Sequence, residues 1–168
     1  MMTVDDLVAK QEIAEGLYRY CRGLDRMDRA LVASVFGPGA DLDYGEHFVG
    51  SPDAFVEWVW AAHALMQAHS HQITNILAEV DTSAGRAVSE AYVTVCLRTK
   101  PDATGRAVDI VDRGRYLDRW TRGEGGRWTI ETRRFRSDIQ HLSTASLSPP
   151  VTAVRDTTDP SFELFGVR

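Results

Sequence analysis

Apolar residues recur at helical spacing along the first third of the chain. Thr3 and Asp6 have the spacing of a capping box, and the apolar stripe after them predicts one amphipathic helix over about residues 4–23. The stripe consists of Ile13, Leu17, Tyr20, Cys21 and Leu24. A short second helix is expected after an N-cap at Asp28, with Gly37-Pro38-Gly39 ending it. A third helix is expected from Ser51 and Pro52 to about Gln67.

The pattern changes to extended structure around and after the third helix. A small hairpin is predicted where Asp41–Tyr44 and His47–Val49 flank the turn Gly45-Glu46. Four β-rich runs then occupy residues 71–80, 87–99, 107–122 and 127–139. Connections of about five residues favour antiparallel pairing of successive strands, because a parallel crossover needs about a dozen residues. We therefore expect a long meander.

This order of elements predicts an α+β fold in which a curved, mainly antiparallel sheet wraps the N-terminal helices. Such a sheet encloses a cone-shaped apolar cavity, a common kind of small-molecule site. We expect one domain over residues 1–141. Residues 142–168 hold three of the six prolines among Ser and Thr, and this composition predicts an irregular tail.

Composition narrows the class of function. The chain has 168 residues, 43% hydrophobic and 26% charged, which is enough for one globular core. Its net charge of -5 argues against a nucleic-acid partner. Cys21 and Cys96 lie in apolar segments and are expected to be core residues. No apolar run reaches the ~18 residues of a membrane span, and the acidic N-terminus differs from a signal peptide, so a cytoplasmic protein without a membrane partner is expected.

Two polar positions stand out as candidates for chemistry. Asp25 follows the first helix, where the helix dipole disfavours a negative charge, so we expect a specific partner for it. The alternative is a loop or cap residue. His71 begins the first long β-run and is a candidate general acid/base at the mouth of the cavity. The alternative is a hydrogen-bonded structural histidine.

The second of these positions belongs to a His-x-His pair, His69-Ser70-His71. In an extended chain both imidazoles face one side, together with Ile73 and Asn75. Such a pair can bind metal, but a catalytic site also needs a third ligand, and the neighbouring sequence offers none. No metal or other cofactor is therefore expected.

Tyrosines and arginines complete the candidate set. Tyr20 shares the apolar stripe of the first helix and is expected to point inward, and Tyr44 lies in the hairpin. On the last β-run, strict alternation would place Arg134 and Arg136 on the inner face of Trp128. A solvated face for these arginines is the alternative.

Four segments together resemble the SnoaL-like branch of the NTF2-like superfamily. They are residues 17–25, the hairpin Asp43-Tyr44-Gly45, residues 71–75, and residues 114–116 with 126–130. The resemblance spans about residues 5–140 and implies the cone-shaped α+β fold. Within the superfamily it points to the group of scytalone dehydratase, bile acid 7α-dehydratase and lindane dehydrochlorinase, whose members form dimers or trimers.

The resemblance also implies a site. It places an Asp–His pair at Asp25 and His71, tyrosines at Tyr20 and Tyr44, and an arginine of the last strand at Arg136. In the reaction that we expect, His71 removes a proton from a small hydrophobic cyclic substrate, and Asp25 holds the imidazole. The tyrosines polarise a carbonyl oxygen, and Arg136 adds positive potential.

The expected function is thus that of a cofactor-independent lyase of the dehydratase type, assembled as a homo-oligomer, either a dimer or a trimer. Three alternatives stay open. An isomerase or cyclase would use the same residues. A ligand-binding or assembly module, or the non-catalytic small subunit of a ring-hydroxylating oxygenase, would keep the cavity without turnover.

Overall fold

The structure, a computed structural model, describes residues 2–123, 125–145 and 152–166. Its helices are α1 (Val4–Asp25), α2 (Arg29–Ala33), α3 (Pro52–Ala64) and α4 (Pro160–Phe165). Its strands are β1 (Phe36–Asp43), β2 (Val49–Gly50), β3 (Met66–Asp81), β4 (Arg86–Thr99), β5 (Ala107–Arg122) and β6 (Trp128–Ala145). No helix of the described residues is long and apolar enough to cross a bilayer.

One mixed sheet carries the architecture. The strand order is β2-β1-β6-β5-β4-β3, and the four long strands pair antiparallel with their neighbours in the chain. The predicted meander is therefore confirmed. β1 adds to β6 in parallel, which makes the sheet mixed. The helices α1 and α3 pack against this sheet and bury a core that includes Ile13, Leu17 and Phe55. The α+β fold expected from the sequence is confirmed.

The first two helices begin with the N-caps that the sequence predicts. Thr3 and Asp6 form the predicted capping box, and α1 ends at Asp25, two residues beyond the prediction. Asp28 caps α2 with its carboxylate, as expected. Gly23 allows the sharp turn between them, because a Cβ at this position would lie 2.7 Å from a methyl carbon of Val32. This turn leaves the carboxylate of Asp25 at the edge of the core.

Several predicted boundaries are wrong. The third helix ends at Ala64 instead of Gln67, and β3 begins at Met66 because Met66 already pairs with Thr99 of β4. Gly37-Pro38-Gly39 lies inside β1, where pairing with β6 is irregular between Phe36 and Asp41. Pairing across the sheet overrides the local helix and turn signals in both places.

Two bulges change which side chains face inward. In β6, Trp120 pairs with Ile130 but Arg119 pairs with Thr132, so the strand holds one extra residue. After this bulge Arg133 and Phe135 are buried, and Arg134 and Arg136 face outward. The expectation that Arg134 and Arg136 share the inner face of Trp128 is therefore wrong.

The bulge in β3 acts in the same way. Thr74 pairs with Tyr92 and Leu77 with Glu90, and Asn75 adopts a left-handed φ of 48°. Asn75 is exposed and does not share the inner face of His71, contrary to the expectation. Cys21 of α1 is buried as expected, but Cys96 lies on the outer face of β4 and is exposed, contrary to the expectation.

The predicted irregular tail is partly ordered. β6 continues to Ala145, and Pro160–Phe165 forms α4, while residues 146–151 and 167–168 lie outside the described residues. Residues 152–166, here called the C-terminal segment, pack on their own chain. The Arg155 guanidinium donates to the carbonyl oxygens of His63 (3.0 Å) and Met66 (2.7 Å). Asp159 lies 3.3 Å from Arg26 in an ion pair. The segment thus closes over the ends of α1 and α3.

Candidate active site

The end of α1 and the start of β3 bring Asp25 and His71 together. Asp25 Oδ1 lies 2.7 Å from His71 Nδ1, and its Oδ2 accepts the backbone N–H of His71 at 3.0 Å. These contacts are the specific partner expected for a carboxylate at the negative end of a helix dipole. Because the ionised carboxylate only accepts, Nδ1 of His71 carries the shared proton and Nε2 is the basic nitrogen.

Two further histidines surround this pair. His69 is buried, and its Nδ1 lies 3.4 Å from Asp25 Oδ1. His63, on the inner side of α3, stacks against His69 with ring centroids 4.4 Å apart and lies 5.8 Å from the His71 ring. Burial, reinforced by the neighbouring histidines, lowers the pKa of His63 to about 3. Burial also lowers the pKa of His69, although the hydrogen bond to Asp25 opposes this effect.

The same contacts hold Asp25 ionised. Burial by itself would raise its pKa, but hydrogen bonds from His69 and His71 outweigh that effect and lower the pKa to about 2. The carboxylate therefore stays negative throughout the neutral range. It can hold the imidazole of His71 in one orientation and stabilise the imidazolium that forms when His71 takes a second proton.

The pair lies beside an apolar cavity of about 240 Å³ between α3 and the inner face of the sheet. His71 and Tyr20 line this cavity, and so do aromatic and aliphatic side chains, among them Phe55, Trp58, Val95, Tyr116 and Phe135. At one wall, buried Asp112 accepts from Ser137 at 2.7 Å and from Gln140 at 3.0 Å. The cavity is thus apolar with a few convergent polar groups, as binding sites for small molecules are.

Two phenols meet at the cavity wall. The hydroxyls of Tyr20 and Tyr44 are 2.8 Å apart, and both rings are buried against Phe55. Burial is the main cause that raises the pKa of each hydroxyl above its ordinary value. Both therefore stay protonated at neutral pH. One hydroxyl donates to the other, and the O–H of the second is not used within the pair.

The inner arginine of β6 is Arg133. Its guanidinium is fully buried and donates to the Asp118 carboxylate at 2.8 and 2.7 Å. It also stacks on the rings of Tyr20 and Tyr116, 4.4 and 4.1 Å from their centroids. A buried cation therefore lies against the phenol ring of Tyr20.

Four of the five site residues expected from the sequence are brought together in pairs, and the fifth is not. Asp25 and His71 are joined, and Tyr20 and Tyr44 are joined at the same cavity. Arg136 does not reach the cavity, because its guanidinium donates to Asp43 on the exposed side of the sheet.

Sequence reasoning missed Arg133 and His63. The sequence signal for Arg133 is Phe135. Strand alternation places the even-numbered Trp128 and Ile130 inward, so a buried apolar residue at the odd position 135 indicates a bulge between them. The same bulge turns Arg133 inward. His63 lies one helical turn after Val59, on the buried stripe of α3, and the helical spacing alone could have placed it inside.

Comparisons with known proteins agree with this fold. Residues 5–134 match the model of the SnoaL-like domain family. No curated protein sequence matches the chain. A candidate scytalone dehydratase from Novosphingobium aromaticivorans superimposes with a TM-score of 0.71 at 20% sequence identity, covering 94% of this chain and 98% of that chain.

Two further structures share the architecture. A hexachlorocyclohexane dehydrochlorinase, LinA type 2, has a TM-score of 0.74 at 14% identity, covering 90% of this chain and 99% of that chain. A variant of a protein of unknown function from Mycobacterium tuberculosis has a TM-score of 0.67 at 26% identity, covering 82% and 77%. The family model matches residues 5–134, and the architecture is shared with these structures. The chain therefore belongs to the SnoaL-like family of the NTF2-like superfamily.

Proposed function

We propose that this protein is a lyase that uses its own side chains as acid and base to eliminate water, or another small leaving group, from a small hydrophobic cyclic substrate. The observation that carries the proposal is the 2.7 Å contact between Asp25 Oδ1 and His71 Nδ1 at the wall of the apolar cavity. A carboxylate that orients an imidazole beside an apolar cavity is the arrangement that general acid/base catalysis requires.

His71 acts on the proton. Its Nε2 accepts a proton from the carbon next to a substrate carbonyl, and the electron pair of that C–H bond becomes the enolate. Asp25 stabilises the imidazolium formed in this step. When the enolate collapses to the new double bond, the leaving hydroxyl departs and takes the proton from Nε2, so that water is released and His71 is neutral again.

Tyr20 and Tyr44 act on the oxygen. The free O–H of the hydroxyl pair donates to the carbonyl oxygen as negative charge develops there. Arg133 is a positioning residue, because its guanidinium contacts the faces of Tyr20 and Tyr116 and its hydrogen bonds go to Asp118. Arg136 has no part in this proposal because it lies on the exposed side of the sheet.

The polar groups of the site favour an enzyme over a passive binding module. Burying a carboxylate, imidazoles and phenols in an apolar cavity costs stability, and an apolar ligand would not need them. The names of two structural relatives, a candidate scytalone dehydratase and a dehydrochlorinase, describe elimination reactions. They support the reaction class and leave the substrate open.

The test is a screen of hydroxy- and halo-substituted cyclic ketones, with product mass as the readout. Elimination lowers the mass by that of water or a hydrogen halide, whereas an isomerase would preserve the mass. On a substrate so found, Asp25→Asn and His71→Ala should each lower kcat by about 10²-fold or more. His141→Ala, an exposed histidine of β6, is the matched control and should retain full activity. A loss below about tenfold in both site variants would contradict the mechanism.

A further inference from the structure

The histidine pair of β3 gains a third metal ligand from α1. The ligand atoms of Asp25, His69 and His71 all lie within 4.8 Å of one another. Oδ1 of Asp25 is 2.7 Å from His71 Nδ1 and 3.4 Å from His69 Nδ1. Ligand atoms around tetrahedral zinc are about 3.3 Å apart, as bond lengths of about 2.0–2.1 Å require. Small side-chain rotations would therefore place all three atoms around one ion.

The proposed reaction gives His69 no direct part, although its Nδ1 also contacts Asp25. Its side chain is fully buried, and its Nε2 makes no hydrogen bond within the described residues. Its contact with Asp25 is the longer of the two, and Asp25 already has a closer partner in His71. Its Nδ1 faces the Asp25 carboxylate and is therefore the nitrogen that an ion held by Asp25 and His71 would bind.

Two of the three ligands, Asp25 and His71, line a depression at the surface through which an ion can approach. This depression of about 290 Å³ is lined by Cys21, Asp25, His71 and Ile73, with Tyr18, Arg22 and Arg26 at its sides. Of the residues that line it, only His71 also lines the apolar cavity, so an ion would not have to cross the substrate site. The charge of Arg26 is offset by its ion pair with Asp159.

We propose that Asp25, His69 and His71 form a binding site for a divalent transition-metal ion such as Zn²⁺, and that the ion competes with the proton shared by Asp25 and His71. The two nitrogens and one carboxylate oxygen are the donor types that zinc prefers, and water completes the coordination. The second half of the proposal rests on the proposed function. With its Nδ1 on the metal, neutral His71 keeps its proton on Nε2 and cannot accept another from substrate.

Binding is tested on tag-free, chelator-treated full-length protein titrated with Co²⁺ and with Zn²⁺. We expect one ion per chain by calorimetry, and with Co²⁺ the visible absorption of a tetrahedral complex. His69→Gln should weaken Zn²⁺ binding by about tenfold or more, since it removes a ligand but leaves the Asp25–His71 contact. His141→Gln is the control for a surface histidine and should bind as the wild type does.

NMR of the imidazole nitrogens in the wild type provides a second test that needs no variant. Zn²⁺ should shift the Nδ1 signals of His69 and His71 and leave those of His141 in place. Absence of one-to-one binding, or equal affinity in His69→Gln and wild type, would overturn the metal site.

Activity separates this proposal from the proposed function. The chelated enzyme should catalyse elimination, and Zn²⁺ should inhibit it with the concentration dependence of binding. Zn²⁺ that binds but accelerates the reaction would overturn the competition. A chelated enzyme without elimination activity, but with the expected metal binding, would instead refute the proposed function.

Discussion

Asp25 is a carboxylate at a position that local helix electrostatics disfavour, and tertiary contacts stabilise it there. As the last residue of α1 it meets the negative end of the helix dipole, which disfavours its charge. The backbone N–H of His71 and the imidazoles of His69 and His71 reverse this preference and lower the pKa of the carboxyl to about 2. Its contacts thus stabilise the folded protein above about pH 4 and are lost as the pH falls toward 2.

His63 should make stability depend on pH in the range of mild acid. Its folded-state pKa of about 3 lies below the ordinary 6.5, so below pH 6.5 the unfolded chain takes up a proton that the folded chain refuses. The contribution of neutral His63 to stability is therefore fully present above pH 6.5 and is lost as the pH approaches 3. Between pH 7 and 5 this effect should remove about 2 kcal/mol from the free energy of unfolding.

Urea denaturation at pH 7 and pH 5, with a chelator present, measures this effect. His63→Gln should lose much less stability over the interval than the wild type does. His141→Gln, in which an exposed histidine is replaced, should behave as the wild type. Equal losses in the wild type and His63→Gln would refute the assignment to His63.

At the scale of elements, the bulges decide what the sheet presents to the cavity. One extra residue in β6 turns Arg133 inward and Arg136 outward. The inward arginine then requires a partner, and the neighbouring strand β5 supplies Asp118. The bulge and the buried ion pair are consequently one structural feature.

Removing one member of this ion pair should destabilise the fold strongly. Arg133→Met leaves the Asp118 carboxylate buried without its partner, and we expect a loss of about 3–5 kcal/mol in the free energy of unfolding. The double variant Arg133→Met/Asp118→Leu should recover most of that loss, because it leaves no buried charge. Urea denaturation at pH 7 measures both values. A single variant within about 1 kcal/mol of the wild type would show that the pair is solvated.

At the scale of the whole molecule, the C-terminal segment covers the ends of α1 and α3. Arg155 ties it to the end of α3, and Arg22 of α1 donates to Ser161 and lies 5.2 Å from the ring centroid of Phe162. These contacts lie within one chain. The homo-oligomer expected from the sequence stays a proposal, and exposed apolar side chains elsewhere could serve it, namely Leu77, Val88, Tyr92, Ile139 and Leu142.

A chain that ends at Ala145 tests the role of this segment. We expect it to fold and to keep the same number of protomers by light scattering, because the segment contacts its own chain. We expect a raised KM on the identified substrate, since the ends of α1 and α3 lose their cover. A changed number of protomers with an unchanged KM would instead assign the segment to assembly.

The sequence by itself determined the features that depend on neighbouring residues. The capping box of Thr3 and Asp6, the N-cap at Asp28 and the inward position of Tyr20 all follow from spacing within one helix. The order of elements was sufficient for the fold class, and four short segments together were sufficient for the family resemblance. Local energetics govern the two caps and the inward position of Tyr20.

Only the tertiary structure decided the features that depend on pairing between distant segments. Register across the sheet inserts the bulges that exchange Arg136 for Arg133 and turn Asn75 outward. The packing of α1 against β3 brings Asp25 to His71 and His69, which are more than 40 residues away in the chain. No local pattern encodes such distances, because they result from how whole elements pack and pair.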